Sequence, residues 1–297
     1  MQDLPDSVRL TTGHGDLPVV QVDGPAGSAE IYLHGATVTR WSPPGAADAL
    51  WVSEASHFTA GKPIRGGVPI CFPWFGALDG QPDAPAHGFA RLTTWQLVGA
   101  HDDGQYVTLT LRLTDADVAG SPGAACWPYR FEAVYTVVVG ARLSLSLAVT
   151  NRDDATFTFE EALHTYFAVS DVRTTEVVGL EGHAYLDRLA GPDPVTGDEG
   201  PIRFTGETDR IYLGASSGAA VHDAPAGRSV IIAKRGSDAT VVWNPWIDKA
   251  AAMADFGDDE WMTMVCVEVC NLRSTAVELA PGASHTMTAM YQLSRTD

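Results

Sequence analysis

One carboxylate stands in an otherwise uncharged, strand-like segment near the C-terminus. The segment is Met264–Asn271, with the sequence MVCVEVCN, and Glu268 is its one charged residue. A carboxylate in a buried strand must be paired, hydrogen-bonded or shifted in pKa, which makes Glu268 a candidate general base. An internal salt bridge to an arginine is the other interpretation, and the segment alone does not decide between the two.

A histidine stands in a second strand-like segment, Glu160–Phe167, with the sequence EEALHTYF. Side chains in a strand alternate between two faces. His164 and Tyr166 therefore share a face that we expect to border a polar cleft, while Leu163 and Phe167 point into the core. A lone strand histidine is more often structural than catalytic, and that alternative stays open at this point.

A histidine and a carboxylate suffice to move protons between two oxygen atoms. No G-x-G-x-x-G after a strand, Walker loop or G-x-S-x-G elbow is present. Cys266 and Cys270 share the face of Glu268, but four strand residues separate them by about 13 Å. Two sulfur ligands of one zinc must each lie about 2.3 Å from the metal. We therefore expect neither a metal nor a cofactor.

A segment rich in proline and glycine, Lys62–Arg91, carries two arginines and a histidine. Arg65 precedes a Gly-Gly pair, and His87 and Arg91 lie at the end of the segment. The prolines and glycines exclude a regular helix. Loops held on a rigid scaffold are where binding groups concentrate. The alternative is a plain connection whose arginines are merely solvated.

The composition restricts the possible partners. The chain has 297 residues, 45% of them hydrophobic and 19% charged, as in a globular protein with a large core. Its net charge of −18 disfavours nucleic acid and anionic membranes. The spacing of the four cysteines indicates no disulfide framework, and we expect neither a signal peptide nor a membrane span. We expect a cytoplasmic monomer that binds a small molecule.

Alternating apolar residues recur along the whole chain and predict an all-β sandwich or barrel, which we interpret as one large sandwich domain over residues 1–297. Two short segments, Ala47–His57 and Asp115–Ala119, are the best helix candidates. The predicted strands lie within the following segments: Ala29–Trp41, Tyr106–Leu113, Arg130–Val139, Leu143–Thr150, Thr156–Phe167, Ser229–Ala233, Ala239–Trp243, Met264–Cys270 and Thr286–Leu293.

Six segments together resemble the aldose 1-epimerase superfamily, and most closely its hexose-6-phosphate mutarotase branch. They follow the family's order and spread over most of the chain: PIRGGVPICFPWFG at 63–76, HGFAR at 87–91, LHTYF at 163–167, TDRIY at 208–212, WNP at 243–245 and MVCVE at 264–268. The resemblance implies a large antiparallel β-sandwich of the galactose mutarotase-like type, in agreement with the strand pattern. The sequence after Glu268 matches no family pattern.

The resemblance also implies roles for particular residues. His164 would be the catalytic acid and Glu268 the catalytic base, while Arg65 and Arg91 would hold the sugar phosphate. Two further residues, His87 and Asp209, would contact the substrate, with no metal or cofactor.

The expected function is interconversion of the α and β anomers of a hexose 6-phosphate, with glucose 6-phosphate as the expected substrate. A mutarotase of unphosphorylated aldoses and a non-catalytic sugar-binding protein are the alternatives. The two arginines disfavour the first, and the histidine and glutamate disfavour the second.

Overall fold

The structure is a computed structural model, and it describes residues 4–295. These residues form antiparallel strands joined by turns, with one short α-helix, α1 at Trp246–Ala252. The strands are β1 Val8–Thr12, β2 Pro18–Gly24, β3 Gly27–Tyr32, β4 Val38–Ser42, β5 Ile70–Cys71, β6 Gln96–Asp102, β7 Val107–Thr114, β8 Phe131–Val139, β9 Arg142–Asn151, β10 Phe157–Phe159, β11 Glu161–Leu163, β12 Tyr166–Ala168, β13 Thr175–Val178, β14 Tyr185–Asp187, β15 Pro194–Val195, β16 Ile202–Arg203, β17 Thr208–Leu213, β18 Ala219–Asp223, β19 Arg228–Arg235, β20 Ala239–Asn244, β21 Met264–Asn271, β22 Val277–Leu279 and β23 Ser284–Arg295.

Two large sheets make up most of the fold. The nine-stranded sheet has the order β16-β13-β18-β19-β23-β9-β8-β7-β6. The eight-stranded sheet has the order β15-β14-β17-β20-β21-β11-β5, with β12 also paired to β21. A four-stranded sheet, β1 to β4, and the pair β10-β22 complete the architecture. This arrangement confirms the predicted all-β class.

The two large sheets differ in how their faces are covered. In β9 the side chains alternate, with Leu143, Leu145 and Leu147 fully buried and the intervening serines half-buried. This alternation is typical of an antiparallel sheet with one solvated face. All residues of β20 and β21 are buried, so this part of the eight-stranded sheet is covered on both sides.

Contacts between β23 and the eight-stranded sheet hold the two sheets together. The rings of Phe167 and Tyr291 meet edge to face with centroids 5.2 Å apart. The hydroxyl groups of Thr165 and Tyr291 are 2.6 Å apart and hydrogen-bonded. A contiguous buried cluster runs from Val8 to Tyr291, which supports our proposal of a single domain.

The structure corrects the predicted secondary structure in three places. Residues 47–57 are not helical, since this segment is extended and forms isolated bridges at Leu50 and Val52. Residues 115–119 form hydrogen-bonded turns. The predicted strand 156–167 is three strands, β10 to β12, because the ladder is interrupted at Glu160 and at His164–Thr165. The α-helix after Pro245 was not predicted.

The remaining elements are short. Residues 4–295 contain six 3-10 turns, at His14–Asp16, Ala90–Leu92, Ala124–Cys126, Val172–Thr174, Glu260–Thr263 and Arg273–Thr275. Within residues 4–295, no helix combines the length and apolar character that crossing a membrane requires.

The alternation in β9 predicts which substitutions destabilise the protein. Leu145 is fully buried, so Leu145→Ala should lower the free energy of unfolding by about 2–5 kcal/mol through lost burial and a residual cavity. Urea denaturation followed by tryptophan fluorescence measures this loss. Ile231 lies in the same sheet with 40% of its surface exposed, so the control Ile231→Thr should change stability by no more than about 0.5 kcal/mol. Equal losses in both variants would contradict the assigned faces.

Candidate active site

The register of the eight-stranded sheet places His164 opposite Glu268. On either side of the break between β11 and β12, Ala162 pairs with Cys270 and Tyr166 pairs with Cys266. The two pairings have the same register, so His164, which lies between them, falls across from Glu268. Directly opposed residues in an antiparallel pair have Cβ atoms about 4.5–5.5 Å apart.

The two side chains meet at the bottom of a cavity of about 210 Å³. The Nε2 atom of His164 lies 3.5 Å from Oε1 of Glu268, and the two side chains are 9% and 1% exposed. The ring of Tyr166 stacks on the His164 ring with centroids 4.9 Å apart and planes 12° apart. The backbone N–H of His164 donates to the carbonyl of Pro69 and holds the interrupted strand in place.

Burial moves the pKa values of the two groups in opposite directions. It lowers the pKa of His164 well below its usual value, and the nearby guanidinium groups of Arg91 and Arg65 lower it further. It raises the pKa of Glu268 well above its usual value, and the charge of Asp209 adds to this rise. Both shifts favour the neutral form of each group, because a low-dielectric environment disfavours charge.

Neighbouring strands supply further cavity residues on the same face. Asp209 of β17 pairs in register with Trp243 of β20, which in turn pairs with Cys266 of β21. The ring of Trp243 meets that of His164 edge to face, with centroids 6.0 Å apart. Burial raises the pKa of the Asp209 carboxyl. The sheet therefore holds Asp209 and Glu268 on one rigid surface.

Arg65 lines the cavity and is fixed by its neighbours. Its Nε and NH2 groups donate to both carboxylate oxygens of Asp255, and NH1 donates to the hydroxyl of Tyr166 at 3.1 Å. Gly67, two residues on, has φ +64, and a Cβ atom there would overlap the carbonyl oxygen of Val38. The Gly-Gly pair of the sequence thus lets the loop pack closely against β4.

His87 also lines the cavity, with a left-handed backbone at φ 64. Its Nδ1 accepts from the backbone N–H of Gly76 and lies 3.4 Å from the sulfur of Cys71. Burial lowers the pKa of His87 well below its usual value. A neutral ring whose Nδ1 accepts carries its proton on Nε2, so His87 has one donor to offer.

Arg91 lies beside the cavity, and among residues 4–295 it is not one of those that line it. It follows Phe89 and Ala90 in a 3-10 turn and is itself buried. Its NH2 group donates to the carbonyl of Ala86, and its Nε has no acceptor within the described chain. Of the six residues expected at the site, the cavity thus brings together five.

The cavity has five further residues that the sequence alone did not indicate: Phe75, Arg188, Trp243, Lys249 and Met253. Arg188 follows β14, and its NH1 lies 3.3 Å from Oδ2 of Asp209. Lys249 is on α1, with Nζ 3.1 Å from Oε1 of Glu207. The scarcity of lysine, three in the whole chain, was the one available signal for Lys249.

Three buried polar atoms in the cavity have no hydrogen-bond partner among the described residues. They are Nδ1 of His164, Oδ1 of Asp209 and Oε2 of Glu268. Buried polar side-chain atoms are paired in the large majority of cases, and exceptions concentrate where a ligand or catalytic step uses them. The arrangement offers an acid–base pair with hydrogen-bonding groups on both sides.

Comparisons with known proteins agree with this geometry. Residues 18–292 match the sequence model of the family described as Aldose 1-epimerase. A protein of Cenchrus ciliaris, provisionally named glucose-6-phosphate 1-epimerase, is 37% identical over 265 residues, 86% of this chain and 78% of that protein. A protein of Escherichia coli (strain K12) with the same provisional name is 33% identical over 260 residues, 88% of this chain and 85% of that protein.

Solved structures of mutarotases and epimerases are also similar to this chain. A crystal structure from Salmonella typhimurium, provisionally described as a mutarotase, has a TM-score of 0.89 and 29% identity, and the match covers 99% of this chain and 96% of that one. A galactose 1-epimerase from Lactobacillus acidophilus NCFM, at 12% identity and TM-score 0.72, shares the fold. Because the family match spans most of the sequence and the relatives are similar over most of their length, this chain belongs to the aldose 1-epimerase family of isomerases.

Proposed function

We propose that this protein interconverts the α and β anomers of a hexose 6-phosphate, with glucose 6-phosphate as the first candidate, by acid–base-catalysed ring opening. The observation that carries the proposal is the pair His164 and Glu268, opposed across one strand ladder at the bottom of the cavity. The names of the relatives from Cenchrus ciliaris and Escherichia coli support the choice of substrate.

The reaction needs one acid and one base at the same time. A base removes the proton of the C1 hydroxyl while an acid protonates the ring oxygen, and the bond between C1 and the ring oxygen breaks. The aldehyde then rotates about the C1–C2 bond, and ring closure on its other face reverses both proton transfers. A single positioned acid or base typically contributes about 10²–10⁴-fold to such a step.

Two distributions of protons over His164 and Glu268 are possible at the start of the reaction. The resemblance implies Glu268 as carboxylate and His164 as imidazolium, whereas burial favours the neutral forms of both. The two distributions hold the same number of protons and are linked by the reaction. If ring opening begins from the charged pair, Glu268 gains a proton and His164 loses one. The open-chain aldehyde then faces the neutral pair that burial favours.

The remaining cavity residues have roles that suit a sugar. Asp209 would accept hydrogen bonds from sugar hydroxyl groups through its unpaired Oδ1. His87 would donate from Nε2. Arg65 keeps N–H groups beyond those that Asp255 and Tyr166 accept, since a guanidinium carries five donors. It would contact the substrate and fix Tyr166, which stacks on His164.

Arg91 fits an indirect role better than the phosphate contact first expected. It is buried beside the cavity without lining it, and its positive charge helps to lower the pKa values of His87 and His164. We propose that Arg91 holds the loop through the carbonyl of Ala86 and favours neutral imidazole rings. A phosphate group would need a direct cationic partner elsewhere on the cavity.

A direct assay tests the function. Pure α-glucose 6-phosphate is dissolved, and its return to anomeric equilibrium is followed by polarimetry, with free glucose assayed in parallel. The proposal expects acceleration well above the spontaneous rate, and stronger acceleration for the phosphorylated sugar. A higher kcat/KM for free glucose would favour the neutral-sugar alternative, and no acceleration of either would favour a binding protein.

Removing either catalytic group should abolish most of the activity. We expect His164→Ala and Glu268→Gln each to lower kcat by about 10²–10⁴-fold, while circular dichroism stays that of the wild type. Glu278→Gln is a matched control, because Glu278 is exposed on β22, away from the cavity. Retention of more than a tenth of wild-type kcat in a folded His164 or Glu268 variant would remove that residue from the mechanism.

Protonation of His164 should require unusually acidic conditions. Because burial lowers its pKa well below 6.5, the ring should remain neutral as pH falls through 6.5 in the substrate-free protein. His285 gives the internal contrast, since its hydrogen bond to Glu161 raises its pKa and keeps its ring charged above pH 6.5. A titration of ¹⁵N-labelled histidine by NMR measures both. A His164 midpoint at or above that of His285 would contradict the assigned environment.

A further inference from the structure

Phe75 lines the active-site cavity and contacts two of its histidines. Its ring meets the ring of His87 edge to face, with centroids 4.5 Å apart. It lies at 27° to the ring of His164, with centroids 6.5 Å apart, and the residue is 2% exposed. A shift of the Phe75 ring would therefore change the orientation open to both imidazole rings.

Side-chain packing alone does not fix Phe75, because it borders open space on two sides. One is the active-site cavity, and the other is a second cavity of about 320 Å³ that Phe75 lines together with Trp127 and Arg273. A side chain beside empty space has no partner atoms on that side. The position of its ring then depends on how the backbone of its loop, residues 73–76, is held.

One residue, Glu160, holds this loop at two points. The backbone N–H of Phe75 donates to Oε2 of Glu160 at 2.9 Å. The backbone N–H of Glu160 donates in turn to the carbonyl of Pro73, also at 2.9 Å. Within residues 4–295 the Phe75 N–H has no other acceptor, so the carboxylate of Glu160 satisfies a buried donor that would otherwise be unpaired.

The other carboxylate oxygen of Glu160 holds a third segment. Its Oε1 accepts from the backbone N–H of Arg273 at 2.7 Å and from the NH1 group of the same residue at 3.1 Å. Arg273 lies in the 3-10 turn after β21 and has a left-handed backbone at φ 57, which is uncommon for a residue other than glycine. Glu160 itself lies between β10 and β11. It therefore joins the Phe75 loop to the strands that carry Glu268 and lead to His164.

We infer that Glu160 is a positioning residue for the proton transfer, because its carboxylate holds the ring of Phe75 against His87 and beside His164. The inference rests on the proposed function, and it adds a residue that is not among the described residues lining the active-site cavity. Glu160 acts through Phe75 and does not touch the sugar. A carboxylate suits this task, because both of its oxygens accept and both backbone partners are N–H donors.

Glu160→Gln tests the inference with almost no change of shape. Glutamine has one acceptor oxygen and one donor NH2 group, so it can accept from Phe75 or from Arg273 but not from both. The kcat for glucose 6-phosphate should fall roughly tenfold to a hundredfold, since a misplacement of about 1 Å can cost about a hundredfold. KM should change less, because the hydrogen-bonding groups of the cavity all remain. A folded variant with wild-type kcat would contradict the inference.

Glu160→Asp provides the same test should the glutamine variant fail to fold. It retains the charge, but its carboxylate is withdrawn by one methylene from the donors of Phe75 and Arg273. Its kcat should also lie below that of the wild type, with a smaller change in KM. Wild-type kcat in this variant would count against the inference in the same way.

A double-mutant cycle shows whether Glu160 acts through Phe75. Phe75→Leu removes the ring while the backbone N–H stays in place. Once the ring is absent, adding Glu160→Gln should lower kcat by no more than about threefold further, because the effects of coupled residues are not additive. Losses that simply multiply in the double variant would overturn the inference.

Two further variants separate this role from a general effect of charge. Asp153→Asn is the matched control, because Asp153 also accepts from a backbone N–H and pairs with the side chain of the same residue, Arg130. Asp153 is not among the described residues that line the cavity, so its removal should leave kcat unchanged. Arg273→Gln removes the ion pair but keeps the backbone N–H, and it should lower kcat less than Glu160→Gln. An equal loss would assign the effect to the ion pair and reject the role of Phe75.

Proton NMR of the His87 ring gives a readout that does not depend on turnover. The edge-to-face contact places this ring in the ring-current field of Phe75. Its C–H resonances should shift in Glu160→Gln and stay unchanged in Asp153→Asn. Unchanged resonances in Glu160→Gln would overturn the inference whatever the kinetics give. A wild type without activity on either sugar would contradict the proposed function instead, and the resonances would still decide whether Glu160 positions Phe75.

Discussion

The structure depends on keeping two ionisable groups, His164 and Glu268, opposite each other in a place that water barely reaches. Removing a carboxylate or an imidazolium from water costs several kcal/mol per ion unless a partner or a proton compensates. Here burial shifts both pKa values toward the neutral forms, and with one proton on Glu268 neither group is charged. That distribution makes the burial tolerable and leaves one acid and one base for a sugar, with Nε2 of His164 3.5 Å from Oε1 of Glu268.

Several parts of the surrounding structure hold His164 and Glu268 in place. Full burial of β21 on both faces holds Glu268 in a rigid strand. The interruption between β11 and β12 leaves His164 outside the regular ladder, while Thr165 bonds to Tyr291 in the opposite sheet. Arg65, held by Asp255, fixes the tyrosine that stacks on His164. Positioning of this kind lowers the reorganisation that catalysis would otherwise require.

Much of the fold followed from the sequence, because strands and their faces depend on a local period of two. Alternation identified the main strands, the shared face of His164 and Tyr166, and the anomalous charge of Glu268. Pairing between β12 and β21 joins residues about one hundred positions apart, so local patterns could not place His164 opposite Glu268. The interpretation of residues 47–57 as helix failed because bridges to Phe167 and Gly66 override local propensity.

The residues of the site could be predicted where they lie within family motifs. His87, Asp209 and Arg65 were expected and lie on the cavity. For Arg91, the motif did not reveal that the side chain is buried and donates to the carbonyl of Ala86. Arg188 and Lys249 lie on a loop after β14 and on the short helix, two elements whose approach to the cavity only the tertiary structure reveals.

The contrast between the central strands and these peripheral elements has an evolutionary consequence. Proton transfer is assigned to β21 and to the strand break at His164, where most substitutions would disturb the core. Arg188 and Lys249 line the same cavity with partly exposed side chains, where substitutions usually disturb stability less than in the core. A lineage could therefore change which sugars the cavity accepts through a few substitutions at its exposed residues. New substrates on this scaffold therefore need no new catalytic residues. Sequence changes at the residues around the cavity opening would be the first sign of such a change in substrate.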